Sequence, residues 1–370
     1  MSIAFRQWVV GRPIVDGVLS PDLFDLVEGT LPPLSEGQAL ARIKVINIHP
    51  GTRARIVRGW TKIGETNRSN FACAEIIQSR DPAFKEGDVI ACQAGWQDYQ
   101  IISSEEPAIG YAPPSELVKA LNGTNSQWCY AFRPALVKMW PPEVLLDMLG
   151  TTGLTAYFGL RECGPLTPRD VVAVGGASGA VGSVAAQLAK KAGCHVVGFA
   201  GGADRCEWVT RTLGIDHCID YRAPDFDAQI KAAFPSGVDF FCDGVGGAFT
   251  ESLVQLMNRN GRLFAYGSAA EFYGDATDAP APSNLRERFG ISESIERTLK
   301  DRNIKSEAWI VDEFYHERPR AEDDLSRLMR CGALKHINNL VEGFENTPQA
   351  IADLYAKGRS GKLQIRFAPV

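Results

Sequence analysis

The first hundred residues alternate between apolar and polar positions. Residues 40–48 read LARIKVINI, and residues 88–91 and 99–102 repeat a shorter form of the same pattern. Alternation with a period of two indicates strands that bury one face. We therefore predict a β-rich region. Between residues 105 and 142 the alternation is lost and prolines come in pairs, which predicts an irregular, loop-rich segment.

After residue 145, short apolar runs alternate with helical patterns. Residues 171–174 are a fully apolar run followed by glycines, and residues 181–189 place apolar side chains at helical spacing. The next predicted strand covers residues 195–200 and the next helix residues 205–213. Further strands are predicted at residues 218–220, 238–242, 262–266, 308–311 and 363–367, and a further helix at residues 348–357. Short strands separated by helices predict an α/β fold with a doubly wound parallel sheet.

Composition narrows the class of protein. The chain has 370 residues, of which 45% are apolar and 22% charged, as in ordinary globular proteins. With 39 basic and 44 acidic side chains the net charge is −5, which favours neither nucleic acid nor a membrane as the partner. Nine scattered cysteines without a C-x-x-C pair predict free thiols in a reducing compartment. We expect a cytoplasmic protein that acts on a small molecule.

A glycine-rich turn follows the strand at residues 171–174. Its spacing is Gly176-x-x-Gly179-x-x-Gly182, and Ala177 stands at the first glycine of the G-x-G-x-x-G pattern. A turn without side-chain bulk lets backbone N–H groups and the helix dipole approach a pyrophosphate. Its place between a strand and an amphipathic helix favours a dinucleotide site. The alternative is a packing turn of small residues with no ligand.

The end of the second strand selects between NADH and NADPH. Residues 200–205 read AGGADR, so the acidic residue that binds the ribose of NAD is not at the strand end itself. Arg205 offers a charged fork to a 2′-phosphate, which favours NADPH. Asp204 is a competing signal, although it also fits an N-cap of the next helix. Arg205 also fits a solvated arginine at a helix start.

Several motifs occur in an order that is specific to one family. They are residues 95–99 (GWQDY), 154–160 (LTAYFGL), 179–183 (GAVGS), 200–206 (AGGADRC) and 343–348 (GFENTP). Together they resemble the zinc-free medium-chain dehydrogenases/reductases, in the prostaglandin reductase and 2-alkenal reductase branch. The resemblance runs, with gaps, over nearly the whole chain.

The resemblance implies an architecture and an assembly. It implies a GroES-like substrate domain at residues 1–138, a Rossmann NADPH-binding domain at residues 139–314, and a C-terminal return to the first domain at residues 315–370. The active site would lie in the cleft between the domains. A homodimer formed through edge strands of the Rossmann sheet is also expected from the resemblance.

The resemblance also implies residues that contact NADPH. Gly179, Ala180, Val181 and Gly182, with Gly176 of the same turn, would lie at the phosphates. Arg205 and Tyr221 would lie at the 2′-phosphate, and Gly267, Ile310 and Val311 would pass near the nicotinamide. For Tyr221 a half-buried packing role is the alternative.

This chain departs from the family pattern at several positions. The family's Asp-Asn-Val-Gly-Gly has Gly244 in place of asparagine, and its Asp-Pro-Tyr-Met-Arg reads HPGTR at residues 49–53. The tyrosine of the family's loop falls on Phe272, beside Tyr273, and Arg359 replaces an asparagine. Residues 105–132 resemble an insertion. The insertion carries Trp128, Tyr130 and Phe132, and an aromatic lid over the substrate is one hypothesis for its role. These departures leave the substrate and the proton donor open.

The chemistry needs no metal. Cys73 and Glu75 stand without a histidine where zinc-dependent relatives hold their metal, so no metal site is expected. Hydride addition to an activated C=C bond gives an enolate, whose oxygen needs hydrogen-bond donors. The candidates for this catalytic role are Tyr273, Tyr266 and His49. Each tyrosine also fits a packed aromatic, and the histidine also fits a surface or turn residue.

Three functions stay open at this point. The leading prediction is an NADPH-dependent oxidoreductase that reduces the C=C bond of an α,β-unsaturated aldehyde or ketone. A quinone or carbonyl reductase on the same fold is the second. The third is a redox-silent relative that binds NADPH and acts as an interaction module.

Overall fold

The chain folds into two compact units. The computed structural model describes residues 3–15, 17–49, 51–57, 59–68, 70–105, 129–269, 285–306, 311–357 and 360–367. The first unit comprises Met1–Gly150 together with Asn338–Val370, and the second comprises Thr151–Ile337. No helix in these described ranges is long and apolar enough to cross a bilayer.

Strands and helices are numbered along the chain. The strands are β1 Ile3–Val10, β2 Phe24–Leu31, β3 Ala39–Asn47, β4 Asn70–Ser79, β5 Val89–Ala94, β6 Tyr99–Ile102, β7 Cys129–Ala131, β8 Val171–Val174, β9 His195–Ala200, β10 His217–Asp220, β11 Val238–Asp243, β12 Met257–Ala265, β13 Lys305–Ser306, β14 Asn338–Glu342 and β15 Lys362–Arg366. The helices are α1 Gly51–Val57, α2 Pro134–Met139, α3 Pro142–Asp147, α4 Thr151–Glu162, α5 Ala180–Lys191, α6 Ala203–Leu213, α7 Phe226–Ala233, α8 Gly247–Val254, α9 Leu285–Arg288, α10 Glu293–Asp301, α11 Arg318–Arg330 and α12 Thr347–Lys357. Three 3-10 turns lie at Pro21–Leu23, Val311–Glu317 and Phe344–Asn346.

The first unit is built on a largely antiparallel sheet. Its strands are ordered β14-β15-β3-β4-β5-β7, β6 pairs with β3, and β1 and β2 form a separate hairpin. The predicted alternation is visible in β3, where Arg42 and Lys44 stay partly exposed between buried neighbours. Trp96, from the GWQDY motif, is fully buried in this core, and its indole N–H donates to Asn70 Oδ1 at 3.1 Å.

The C-terminal segment completes the first unit. β15 runs antiparallel to β3 and parallel to β14. Gln364 of β15 is fully buried, and its amide nitrogen donates to Asn47 Oδ1 and to the Glu143 carbonyl, both at 2.9 Å. The last strand is therefore joined to a strand and a helix that lie more than two hundred residues earlier in the sequence.

The second unit contains the predicted doubly wound sheet. Its six strands are all parallel and ordered β10-β9-β8-β11-β12-β13. Numbered within the unit this order is 3-2-1-4-5-6, the order of dinucleotide-binding Rossmann sheets. The α/β prediction with a separate β-rich domain is confirmed. The carboxyl ends of these strands share one edge of the sheet, where ligands bind in such folds.

The limits of the two units differ from the implied domain boundaries. Residues 139–150 lie in the first unit, because α3 packs on β3 and β4. Residues 315–337 lie in the second unit, because α11 packs on α4. That packing includes a hydrogen bond of 2.8 Å from the Tyr157 hydroxyl to Asp324 Oδ2 and an ion pair of 2.6 Å between Arg161 and Glu317.

One local prediction was wrong. Residues 129–142 were expected to be irregular, yet β7 pairs with β5 and α2 and α3 begin at prolines. A proline in the first helical turn breaks no hydrogen bond, because that N–H has no partner within the helix. Of the strand predicted at residues 308–311, residues 308–310 lie outside the described residues, and Val311 begins a 3-10 turn. Residues 106–128, most of the predicted insertion with Trp128, lie outside the described residues.

The buried contacts of Gln364 generate a prediction about stability. We expect Gln364→Met to lower the free energy of unfolding by about 2–4 kcal/mol, because two buried carbonyl oxygens lose their donor. Denaturant unfolding followed by tryptophan fluorescence measures the change. The control is Gln349→Met on the exposed side of α12, for which we expect less than about 0.5 kcal/mol. Equal effects of the two substitutions would contradict a special role for Gln364.

Candidate dinucleotide-binding site

The glycine-rich turn lies between β9 and β11, the two strands that flank β8 in the sheet of the second unit. It follows β8 at Gly175, whose N–H donates to the Cys242 carbonyl of β11 at 2.8 Å. Two residues later, the Ala177 N–H donates to the Phe199 carbonyl of β9 at 2.9 Å. The turn is therefore fixed from both sides at the carboxyl edge of the sheet.

Two glycines of the turn are required by geometry. Gly176 has φ of 63°, a left-handed conformation that glycine adopts without strain. A Cβ at Gly182 would lie 2.9 Å from the Gly176 carbonyl carbon and would overlap its oxygen. The first turn of α5 therefore packs directly on the backbone of the glycine-rich turn.

Ala177 occupies the position where the usual pattern has glycine. Its methyl group is fully buried and lies 2.9 Å from the place that a Cβ of Gly198 would occupy. Gly198 in the middle of β9 therefore leaves room for the alanine. The substitution keeps the turn intact because a glycine on the neighbouring strand compensates for the added volume.

The start of α5 has the properties of an anion site. Gly179 is the N-cap residue, and no side chain caps the helix. Ala180 and Val181 form the first turn and are partly exposed. The first N–H groups of a helix have no partner within it and carry a partial positive charge. These residues fit the pyrophosphate of a dinucleotide, because a turn of small residues and an uncapped helix start coincide.

Two side chains converge at the end of β9, where a ribose 2′ substituent is expected. A Cβ at Gly201 would lie 2.7 Å from the Tyr221 hydroxyl and 2.9 Å from Arg222 Nε. Both side chains project from the end of β10 and are exposed. A phenol hydroxyl beside a guanidinium fits a 2′-phosphate, because both donate hydrogen bonds and one is cationic.

An acidic side chain organises this corner of the site. Asp220 Oδ1 accepts the N–H of Gly202 at 2.8 Å and the N–H of Arg222 at 2.9 Å. The hydrogen bond from the Gly202 N–H is the main reason that the pKa of the Asp220 carboxyl lies below its usual value. Asp220 therefore stays ionised and holds the turn before α6 and the base of Arg222 in place.

Arg205 and Asp204 lie in the first turn of α6. Arg205 is half-buried, and Asp204 is exposed. The N-cap residue is Gly202, with φ of 98° and no side-chain cap. The suggestion that Asp204 caps this helix was therefore wrong, because the N-cap lies two residues earlier, at Gly202, and Asp204 is an exposed residue within the first helical turn.

Asp243 lies beneath the glycine-rich turn at the end of β11. The carboxylate is fully buried, accepts the Val245 N–H at 2.8 Å and the Thr250 hydroxyl, and would touch a Cβ added at Gly175. Burial raises the pKa of Asp243 to about 6, although these hydrogen bonds act in the opposite direction. It is the most strongly perturbed carboxyl among the described residues of the site.

Tyr266 was a candidate for the catalytic acid, and the structure gives it another place. Its side chain is half-buried, and its hydroxyl donates to the Gly175 carbonyl at 2.6 Å. Burial raises the pKa of Tyr266 well above its ordinary value. This hydrogen bond engages the phenol proton that a catalytic acid would donate, and the catalytic role of Tyr266 stays a prediction.

The remaining cofactor candidates fall partly within the described residues. Gly267 follows β12, and a Cβ there would lie 3.4 Å from the Gly244 carbonyl oxygen. The loops after β11 and β12 are thus in contact at the same edge of the sheet. Val311 is buried within the second unit. Ile310, Tyr273, Phe272 and Arg359 lie outside the described residues.

His49 belongs to the first unit. It follows β3, and its carbonyl accepts the N–H of Thr52 at 3.0 Å at the start of α1. Its imidazole Nδ1 would lie 3.1 Å from a Cβ at Gly51. The side chain is half-buried beside a glycine that leaves room for it.

Where zinc-dependent relatives hold their metal, the side chains are engaged otherwise. Cys73 is fully buried in the core, and burial raises the pKa of its thiol. Glu75 forms ion pairs with Arg42 at 2.8 Å and Lys44 at 2.6 Å. Across the described ranges, no three His, Cys, Asp or Glu side chains form a group that could hold a metal ion.

Sequence reasoning missed Arg222 and Asp220 as parts of the site. Both flank Tyr221 directly in the sequence, so the signal was a basic residue directly after the tyrosine and an acidic residue directly before it. Their roles depend on β10 lying beside β9, which places residues 220–222 over residues 201–202. The sequence spacing alone does not show this contact.

Comparison with protein families finds two matches along the chain. A family described as "N-terminal domain of oxidoreductase" matches residues 6–109, and one described as "Zinc-binding dehydrogenase" matches residues 180–301. Together the two matches span more than half of the chain.

Individual relatives are similar over most of their length. The chain is 28% identical over 376 residues to "NADPH-dependent curcumin reductase" of Escherichia coli (strain K12), covering 98% of this chain and 97% of that protein. It is 27% identical over 296 residues to "2-alkenal reductase (NADP(+)-dependent)" of Nicotiana tabacum, covering 80% and 75%. The solved structure of CurA in complex with NADPH from Vibrio vulnificus has a TM-score of 0.74 at 25% identity, covering 99% of this chain and all of that one.

The buried carboxyl of Asp243 predicts a pH dependence of stability. The pKa of Asp243 is about 6 in the folded protein, against 3.8 for a free carboxyl group. The contribution of the protonated carboxyl to stability is therefore complete below pH 4, and it is lost as pH rises through 6. We expect Asp243→Asn to gain up to about 3 kcal/mol relative to the wild type between pH 4 and pH 7. Chemical denaturation of both proteins over this range measures it. A difference that stays constant with pH would contradict the assignment.

Proposed function

The chain belongs to the zinc-free medium-chain dehydrogenases/reductases, and we propose that it uses NADPH to reduce activated carbon–carbon double bonds. The protein is an NADPH-dependent oxidoreductase. The proposal concerns the bond that it reduces. Its substrates would be α,β-unsaturated aldehydes or ketones.

One observation carries the choice of cofactor. The Tyr221 hydroxyl and the Arg222 guanidinium lie over Gly201, at the strand end where a 2′-phosphate would stand. A site for NADH would place an acidic acceptor for the ribose hydroxyls there. Here the acidic residue nearby, Asp220, is already bonded to two backbone N–H groups. The corner therefore presents a hydroxyl and a guanidinium donor to the ligand, while Asp220 is anchored to the backbone through Oδ1.

The residues of the second unit hold the cofactor in three groups. Gly176, Gly179, Ala180, Val181 and Gly182 would bind the pyrophosphate, Arg205, Tyr221 and Arg222 the 2′-phosphate, and Gly267, Ile310 and Val311 would lie along the nicotinamide. When bound, NADPH supplies a hydride to the substrate. The backbone groups fix its position, and the charged side chains select it over NADH.

The substrate class rests on the relatives and on the need for a donor. One relative is named for 2-alkenals and another for curcumin, and both names state dependence on NADP or NADPH. Reduction of a conjugated bond leaves charge on the carbonyl oxygen, which a hydrogen-bond donor stabilises. We propose His49 and Tyr273 for this role, because the Tyr266 hydroxyl already donates to the Gly175 carbonyl.

Product identity tests the reaction. The protein is incubated with NADPH and a series of conjugated enals and enones, and the products are identified by mass and by the carbonyl absorption. We expect a gain of two hydrogens with the carbonyl retained. An alcohol or hydroquinone product would move the assignment to carbonyl or quinone reduction on the same fold. Bound NADPH without any product would favour the redox-silent alternative.

The 2′-phosphate corner predicts the cofactor preference of variants. We expect Arg222→Ala to lower kcat/KM for NADPH by about ten- to a hundredfold, because a charge-assisted hydrogen bond is lost. We expect little change in kcat/KM for NADH, which has no 2′-phosphate. Steady-state kinetics with each cofactor give the ratio.

The control for Arg222 is a cation outside the corner. Arg211→Ala removes an exposed charge in the last turn of α6 and should leave the NADPH to NADH ratio within about twofold. Arg205→Ala separates the contribution of the second arginine. A ratio that falls in Arg205→Ala and not in Arg222→Ala would show that Arg205 binds the 2′-phosphate alone.

A further inference from the structure

Tyr266 connects the end of β12 to the glycine-rich turn. Its backbone N–H donates to the Asp243 carbonyl at 2.8 Å, and its hydroxyl donates to the Gly175 carbonyl at 2.6 Å. The residue therefore joins three neighbouring strand ends through its backbone N–H and its side chain.

The ring occupies space that two glycines leave open. A Cβ at Gly244 would lie 2.6 Å from Tyr266 Cζ, and a Cβ at Gly182 would lie 2.9 Å from the Tyr266 hydroxyl oxygen. Gly244 is not among the residues with positive φ, so its backbone does not require glycine. The glycine at position 244 is required because the tyrosine ring lies against it.

The ring is also supported from behind. It packs against Phe264 with 5.2 Å between the ring centroids, and the Phe264 ring in turn lies directly against Gly159 of α4. Both phenylalanine and glycine are fully or nearly fully buried. The position of the hydroxyl is therefore set by the packed core of the second unit.

We propose that Tyr266 is a positioning residue for cofactor binding: it holds the Gly175 carbonyl so that the glycine-rich turn presents its N–H groups to the pyrophosphate. Gly244 and Tyr266 act as a pair, in which the ring fills the space that the absent side chain leaves. This inference rests on the proposed binding of NADPH. It explains why an asparagine at position 244, as in the family pattern, is absent here.

The conservative variant Tyr266→Phe isolates the hydroxyl. It keeps the ring and removes the hydrogen bond to Gly175. We expect NADPH to bind about three- to tenfold more weakly, measured by quenching of intrinsic fluorescence, because the turn is less well fixed before binding. Amide hydrogen exchange at residues 175–182 should become faster in the protein without ligand.

The matched control is Tyr157→Phe. The Tyr157 hydroxyl donates to Asp324 at 2.8 Å in the same unit, and neither residue belongs to the glycine-rich turn or to the strand ends next to it. The same chemical change there should alter the melting temperature without changing the dissociation constant of NADPH. A purely structural role of Tyr266 would give the result of this control.

A second pair of variants tests the space between the two residues. Gly244→Ala should weaken NADPH binding and lower the melting temperature, because the new methyl group overlaps the tyrosine ring. In a Tyr266→Leu background the same substitution should have a much smaller effect, because the smaller side chain leaves room. Additive effects of the two substitutions would overturn the pairing of Gly244 and Tyr266.

The outcomes separate the inference from the function on which it rests. If the wild-type protein does not bind NADPH, the proposed function is overturned. If the wild type binds NADPH and Tyr266→Phe binds it equally well, the positioning role alone is overturned. Weaker binding in Tyr266→Phe with unchanged binding in Tyr157→Phe supports the role.

Discussion

The close approach between Gly176 and Gly182 is the constraint on which the cofactor site depends. The first turn of α5 lies against the Gly176 carbonyl, with no space for a Cβ at Gly182. Any side chain there would push the helix away from the turn, and the N–H groups at its start would no longer converge. The turn itself is fixed by hydrogen bonds to β9 and β11. The strand order of the sheet therefore determines the shape of the anion site.

Departures from the expected sequence patterns occur in pairs, in which a larger side chain at one position is matched by a glycine at a neighbouring position. The methyl group of Ala177 is matched by the missing side chain of Gly198. The ring of Tyr266 is matched by Gly244 in the same way. In the first unit, the imidazole of His49 lies over Gly51, at two positions where the family pattern has aspartate and tyrosine. Each of these substitutions, considered alone, suggests that a functional residue has been lost. Considered together with its partner, it preserves the packing density that protein interiors require.

The parts that sequence could predict are those set by local periodicity. The alternation of residues 40–48 predicted β3, and the apolar runs with their glycines predicted β8, α5 and β9 in order. The short helices that begin at Pro134 and Pro142 were missed, because a proline in the first helical turn has the same local signature as a break. The role of Tyr266 was also missed, since its partner Gly175 lies 91 residues earlier and only the sheet brings them together. Contacts between distant residues leave no periodic signal in either segment.

The division of labour within the site follows from the chemistry of its groups. In the proposed site, backbone N–H groups of the turn bind the pyrophosphate, which NADH and NADPH share, so they provide affinity without selecting between the two. Selection requires groups that meet the 2′-phosphate, and the side chains proposed for it come from a different strand end. Asp220 at that corner accepts two backbone N–H groups through one carboxylate oxygen, whereas Asp204, in the first turn of α6, is exposed. Fold and cofactor preference are therefore separable in this proposal: glycines that no side chain can replace maintain the turn, and exposed residues directly after β10 select the cofactor.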